Sequence, residues 1–409
     1  MPHQREGVAR LLALPYALLA DPPGYGKTLQ AIVWAKYQGM PTVVVTMKSL
    51  IPQWKDEILL ADPGTITEIL PGGVVKVVGY GDRQWVLTTY ERVQYVRMEG
   101  EFAIICDEVT QVKNPKARRS KLTYDLARKA SRVLLLSGTP MVNRPLDLWP
   151  IFYLCRQREK YEYWSWVLRY CDATKTPWGW DLSGASNLDE LGEELSAFSV
   201  SRPKGSVKIP DILRRTITLD IPIEVPTGLF TVPLRSAAGL DLIQRLRLSC
   251  AKGKVEFVVD WIKEKLQVSQ AKIVIGSNFI EPLQKIVKGV GGDLLIGECS
   301  SEERRQIIER FKTSGSVLAM TIQTGGMGLN LQETTHAILL DLPWSPKDVE
   351  QWEHRFARLG ADHPVEVITV LSGEPIEKMM WQALNNKQEI IEGVQAYVAR
   401  VPEVLAQPG

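Results

Sequence analysis

Gly24, Gly26, Lys27 and Thr28 lie in the run ADPPGYGKTLQAI, immediately before a helical pattern. Glycines at such a turn let backbone N–H groups face phosphate oxygens, and a helix start adds its positive dipole end. A lysine at that place reaches the β and γ phosphates, and a threonine hydroxyl can ligate Mg²⁺. The run therefore reads as a nucleoside triphosphate site, ATP with Mg²⁺ being its expected occupant. The strict GxxxxGK[ST] spacing asks for glycine where this chain has Asp21, so the match is to a looser pattern.

A second group of residues completes that chemistry. Asp107 and Glu108 follow the apolar run FAIIC directly. There an aspartate can hold Mg²⁺ through water, while a glutamate orients and deprotonates the attacking water. Phosphoryl transfer also needs positive charge on the γ-phosphate oxygens. Arg355 and Arg358, in QWEHRFARLG, are spaced i, i+3, as on one face of a helix, and are the candidates for arginine fingers. Fingers in a second domain would place ATP between domains.

The elements that must carry these residues are legible as short apolar runs. TVVVT (42–46), QWVLTTY (84–90), FAIIC (102–106) and RVLLLS (132–137) alternate with amphipathic stretches. Continuous apolar strands separated by helices predict a parallel sheet covered on both faces. From Pro145 to about Ile221 the texture becomes Trp-rich and helical, with Trp164, Trp166, Trp178 and Trp180, and suggests a protrusion whose aromatics are either core, the favoured reading, or a surface wedge. Strand-like runs return as KIVIGS (272–277), DLLIG (293–297), SVLAMT (316–321), HAILLD (336–341) and VEVITVL (365–371), a second α/β domain. The segment 223–231 is the expected hinge.

Composition bounds the reading further. The chain has 409 residues, 45% hydrophobic and 23% charged, which fits two or three folded domains and excludes disorder or a small disulfide scaffold. Five cysteines without a CxxC pair make neither a disulfide framework nor a zinc site. The four histidines form no HExxH, and no GxSxG is present, so metalloprotease and serine-hydrolase readings find no support. With 49 basic against 47 acidic residues, net charge +2, any phosphate contact must come from local patches. One such patch runs from Lys113 to Arg132, opposed only by Asp125, although composition alone favours a solvated helix face. Neither a membrane span nor a cleavable signal fits the apolar runs, and the expected location is the cytosol.

With these elements in order, the chain resembles a Swi/Snf-type ATPase of helicase superfamily two, most closely the annealing-helicase (HARP-like) branch. The resemblance covers almost the whole chain: PHQREGVARL, PTVVVTMKSLIPQWKDEI, LTTYE, DEVTQVKNPKARRSK and LLLSGTPMVNRPLDLW in the first half, then KIVIGSNF, TIQTGGMGLNLQ, LDLPWSP and QWEHRFARLG. YCDATKTPWGWDLSGASNLDEL, between them, is similar to a segment typical of that branch.

The resemblance implies an α/β fold of two tandem RecA-like lobes with parallel sheets, ATP in the cleft between them, and a small helical protrusion on the first lobe. The implied boundaries are 1–145 for lobe one, 146–222 for protrusion and linker, and 223–409 for lobe two with C-terminal helices. It implies that Gln4 reads the adenine edge and that Ser137, Gly138, Thr139 and Pro140 couple hydrolysis to lobe movement. Gly326, Gly328, Leu329 and Asn330 would line the cleft from lobe two, with Gly328 among the nucleotide contacts. DNA-backbone contacts fall to Lys48, Thr88, Thr89, Lys113, Asn114, Thr324 and Trp344. Metal contacts fall to Thr28 and Asp107.

The expected activity is a DNA-dependent ATPase that translocates on double-stranded DNA and remodels or reanneals DNA structures or protein–DNA complexes. Duplex or forked DNA is the implied partner, the motor is expected to act as a monomer, and with no room expected for targeting domains before the phosphate loop, recruitment would fall to a partner or to the motor itself. In a eukaryote the location would be nuclear. Two alternatives stay open: a strand-separating DNA or RNA helicase, and an ATP-gated DNA-binding module without turnover. Val109 and Thr110 after Asp107-Glu108 depart from the family pattern, which puts a hydroxyl at the link to the neighbouring motif.

Overall fold

The computed structural model describes residues 1–78, 84–141, 144–156, 162–177, 179–203, 205–207, 209–221, 223, 237–325, 329–358 and 361–385. They fall into two compact units that divide after Val207.

In the first unit the strands are β1 (Tyr16–Leu19), β2 (Thr42–Thr46), β3 (Thr65–Ile69), β4 (Val75–Val78), β5 (Gln84–Thr89), β6 (Ala103–Asp107), β7 (Arg132–Leu136), the hairpin pair β8 (Thr174–Thr176) and β9 (Gly179–Asp181), and β10 (Ser199–Val200). Its helices are α1 (Pro2–Leu12), α2 (Lys27–Gln38), α3 (Ile51–Ala61), α4 (Arg118–Lys129), α5 (Trp149–Leu154), α6 (Tyr163–Tyr170) and α7 (Leu188–Ser196). Eight strands form one sheet in the order β10-β1-β7-β6-β2-β5-β3-β4. Every pairing is parallel except β3 with β4.

Successive strand residues enter opposite cores. Val43, Val45, Ile104, Cys106, Val133 and Leu135 pack on one face with Trp149, Phe152 and Trp166. Val44, Ala103, Ile105, Leu134 and Leu136 pack on the other with Trp34, Trp54 and Trp85. Burial on both faces is the reason these strands read as unbroken apolar runs.

The second unit contains β11 (Ile212–Thr218), α8 (Ala237–Gly253), α9 (Val255–Val268), β12 (Ile273–Ser277), α10 (Ile280–Val290), β13 (Asp293–Leu295), α11 (Ser301–Thr313), β14 (Val317–Thr321), α12 (Ile322–Gly325), β15 (His336–Leu339), α13 (Pro346–Glu353) and β16 (Val365–Leu371). Its sheet, β11-β16-β15-β12-β14-β13, is parallel throughout. The α/β architecture, with one largely parallel and one fully parallel sheet, is the one expected.

Three features depart from the sequence reading. Ser199–Val200 and Ile212–Thr218, expected in the protrusion and linker, are strands of the first and second sheets. The helix thought to carry Arg355 and Arg358 ends at Glu353, because Arg355 N–H bonds Trp352 O and Phe356 N–H bonds Glu353 O in a tighter turn. That turn lets Trp352 and Phe356 meet edge to face, 4.9 Å between centroids, inside the core. The protrusion aromatics also divide: Trp166 is fully buried, whereas Trp164 and Trp180 are 48% and 45% exposed and face each other at 5.6 Å. Trp178 and residues 224–231 of the expected hinge lie outside the described residues.

Candidate nucleotide and nucleic-acid site

The phosphate-binding run leaves the sheet at the C-terminal end of β1, where open parallel sheets place their ligands. Gly24 and Gly26 take φ of 84° and 71°, a region that glycine enters without steric penalty. A Cβ at Gly26 would also run into the Gln4 amide, whose Nε2 donates to Gly26 O at 3.4 Å. Helix α2 then begins at Lys27 with no side-chain cap and no acidic residue in its first turn, so its N-terminal N–H groups and dipole are suited to an anion. Lys27 Nζ donates to the carbonyls of Asp21 (2.8 Å) and Pro22 (3.2 Å), which keeps the ammonium on the loop.

Two neighbouring strands deliver the rest of the site on the same edge. After β7 comes Ser137-Gly138, and a Cβ on Gly138 would meet Pro23 Cγ at 2.8 Å and Lys27 Nζ at 3.1 Å. Glycine is thus required for this segment to touch the phosphate loop. Thr139 N–H bonds Ser137 Oγ at 3.2 Å and stiffens the turn.

Beyond β7 lies β6, whose last residue is Asp107. Its Oδ2 accepts from Thr46 Oγ1 (2.9 Å), at the end of β2, and from the Trp54 indole (2.8 Å), on α3. Tyr90 Oη fixes the Asp107 backbone by donating to its carbonyl at 2.7 Å. Burial first, then the Glu108 charge, push the Asp107 carboxyl from 3.8 up to about 6; the Trp54 and Thr46 hydrogen bonds and the Lys27 charge pull the other way. Glu108 sits at φ 52°, ψ 56°, a left-handed conformation costing a non-glycine residue roughly 1–2 kcal/mol. Strain of this kind is characteristic of functional positions. Thr46, Trp54 and Tyr90 were not singled out from sequence; the apolar strand end and buried-tryptophan pattern carry no sign of their acceptor.

The residues expected to meet DNA are placed unevenly. Lys48, Lys113 and Asn114 are exposed. The cations Lys116, Arg118, Arg119, Lys121, Arg128 and Lys129 are exposed too, on or beside α4, which buries Ser120, Thr123, Tyr124 and Ala127 instead. Thr88 and Thr89 are buried at the end of β5, so their hydroxyls are shielded.

In the second unit, Thr324 is buried and accepts from Thr321 Oγ1 at 2.7 Å. Trp344 is 51% exposed, with the Arg247 guanidinium 4.7 Å from its ring centre. Arg355 is buried, and Arg358 Nε donates to His354 O at 2.7 Å. Asp341, after β15, is buried and bonded by Ser277 Oγ and by Asn278 N and Nδ2; burial raises its pKa. Gly326 and Gly328 lie outside the described residues. Among the described residues no helix is long and apolar enough to cross a membrane, and no cluster of metal-ligating side chains is present.

The SNF2-related domain model matches residues 3–221, more than half of the chain. The chain belongs to the SNF2-related family. A second match, the helicase conserved C-terminal domain, covers residues 253–360 of this SNF2-related chain. Mouse DNA annealing helicase and endonuclease ZRANB3 is 29% identical over 95% of the chain and 40% of its own length. The SWI/SNF-related matrix-associated actin-dependent regulator of chromatin subfamily A-like protein 1 of Xenopus tropicalis is 27% identical, over 96% of the chain and 44% of its own length. The SNF2-related chain therefore spans well under half of these curated relatives. Among solved structures, the Sulfolobus solfataricus SWI2/SNF2 ATPase core in complex with dsDNA aligns over 98% of the chain and 94% of its own, at 22% identity and TM-score 0.46.

Proposed function

We propose that this chain is a DNA-dependent ATPase that moves along double-stranded DNA as a monomeric motor and remodels or reanneals DNA structures or protein–DNA complexes. The observation that carries the proposal is the arrival of Lys27, Gly138 and the Asp107-Glu108 pair at the C-terminal ends of three adjacent parallel strands, β1, β7 and β6. The donor set fits a nucleoside triphosphate with Mg²⁺: left-handed glycines, an uncapped helix start, a lysine ammonium, and a carboxylate and hydroxyl at Asp107 and Thr28.

Within this reading, the loop N–H groups and Lys27 bind and orient the phosphates. Asp107, pinned by Thr46 and Trp54, would hold Mg²⁺, and Glu108 is placed as the base for the attacking water. Bound Mg²⁺ would neutralise charge on the phosphate oxygens. Gln4 reads the base edge, and Arg355 and Arg358 are the candidate fingers. The contact of Gly138 with Pro23 and Lys27 gives a short path from the phosphates to the end of β7. Lys48, Lys113, Asn114 and the α4 cations offer a phosphate-directed surface, which makes binding salt-sensitive and weakly dependent on sequence.

Strand separation has one observation in its favour: the β8–β9 hairpin presents exposed Trp180 against Trp164, a candidate wedge. Displacement of a third strand from a triplex separates the two readings. ATP-driven displacement with the underlying duplex left paired supports translocation; ATP-driven separation of that duplex supports the wedge; ATP-dependent DNA binding with neither result and no ATP turnover leaves the gated-binding module.

A further inference from the structure

The phosphate loop is held from outside by a segment 180 residues away. β10 pairs with β1 in parallel register, Leu18 opposite Ser199 and Leu19 opposite Val200, so the residues after β10 run beside those entering the loop. Ser201 Oγ donates to Ala20 O at 3.0 Å. The Tyr25 hydroxyl accepts from Gly205 N–H at 2.9 Å and donates to Pro203 O at 3.5 Å. Between them Arg202, almost fully buried, pairs with the fully buried Asp21, whose Oδ2 also accepts from Gln30 Nε2 of α2 at 3.0 Å. The other arm of the same guanidinium donates to the carbonyl of His3, on α1.

Helix α1 is shaped to receive that arm. Gly7 lies inside it, where glycine is unfavourable by about 1 kcal/mol relative to alanine. A Cβ there would collide with Gln30 Oε1 and Arg202 Nη2. The ion pair is not fully satisfied, since Asp21 Oδ1, Gln30 Oε1 and Arg202 Nε have no hydrogen-bond partner. Buried pairs with unmet atoms are poor sources of stability. Their geometric effect is plain: one planar fork connects the residue opening the phosphate loop to the helix bearing Gln4.

We infer that Arg202 is a positioning residue that sets the register between the phosphate loop and the base-reading helix, through Asp21 on one side and the His3 carbonyl on the other. The inference rests on the nucleotide reading above. It also explains the departure at position 21: the loop trades the first glycine of the strict pattern for an acid that the fork can grip.

The test compares wild type with Arg202→Lys, which keeps the charge but replaces the planar two-armed fork by a single nitrogen, and with Asp21→Asn, which removes the charge from the grip. KM and kcat are measured for ATP and GTP, alongside thermal unfolding. Loss of a hydrogen bond to a charged group predicts KM for ATP up ~10- to 100-fold, with kcat little changed. The KM ratio of GTP to ATP should fall toward that of Gln4→Ala in both variants. An unchanged ratio in two folded variants, or a lowered Tm in both without a change in ratio, overturns the inference and makes the pair a brace of the fold. Wild type that neither binds nor hydrolyses ATP overturns the nucleotide reading itself, and the inference with it.

Discussion

Trp54 and Asp107, 53 residues apart, are joined by an indole N–H to carboxylate hydrogen bond of 2.8 Å. The bond crosses from α3 to the end of β6 and, with Thr46, fixes the carboxylate on which metal binding is proposed to depend. It also favours the charged form of a group that burial would otherwise keep protonated.

Trp54→Phe keeps the ring packing and deletes the donor. Turnover should fall about tenfold or more, as for other hydrogen bonds to charged groups. The acid limb of the pH–rate profile should move to higher pH, because the lost bond lowered the Asp107 pKa. An unmoved limb with full turnover would show that Thr46 suffices.

Asp107→Asn should abolish ATP turnover and still stabilise the apoprotein. The native carboxyl titrates near 6 against 3.8 for the ordinary group, so the folded state holds its proton more tightly than the unfolded one. Wild-type stability then declines from this group as pH rises from about 3.8 to about 6, and the penalty is complete above that window. Denaturation profiles should show the Asn variant ahead at pH 8 and level with wild type at pH 3.5.

Arg358→Ala should reduce turnover on the order of 10³-fold if Arg358 acts as a finger. Arg358 Nε donates to His354 O at 2.7 Å, and a finger role predicts that Tm holds while turnover falls. A lowered Tm with proportionate loss of activity would instead assign Arg358 to the turn after α13.

Trp166→Ala and Trp180→Ala separate core from surface within the protrusion. The first removes a fully buried ring packed against Trp149, Phe152 and Tyr170, and should cost about 3–5 kcal/mol. The second removes a half-exposed ring and should lie within about 0.5 kcal/mol of wild type by chemical denaturation.

What could be read from sequence was what is local. TVVVT and VEVITVL coincide with β2 and β16 because burial on both faces demands continuous apolar runs. Lys27 and Asp107 were legible because the turn or strand end that positions each is written beside it. Trp54, Thr46 and Arg202 were not, since their partners lie 53, 61 and 181 residues away and no pattern at either end names the other. β10, only two residues long, and β11, with exposed Arg214 and Arg215, lack the apolar signature of a central strand. At Arg355 an i, i+3 spacing suggested helix, but packing of Trp352 against Phe356 and against Gly276, where a Cβ would come within 2.7 Å of the indole, favours the tighter turn.

The most direct test of the account is the steady-state ATPase rate at low salt with no nucleic acid, single-stranded DNA, duplex DNA, forked DNA and RNA, using Glu108→Gln as the blank. The account predicts strong stimulation by duplex or forked DNA, weak stimulation by single strands or RNA, and no turnover in the Glu108→Gln protein. Turnover indifferent to duplex, or equal in wild type and Glu108→Gln, would contradict it.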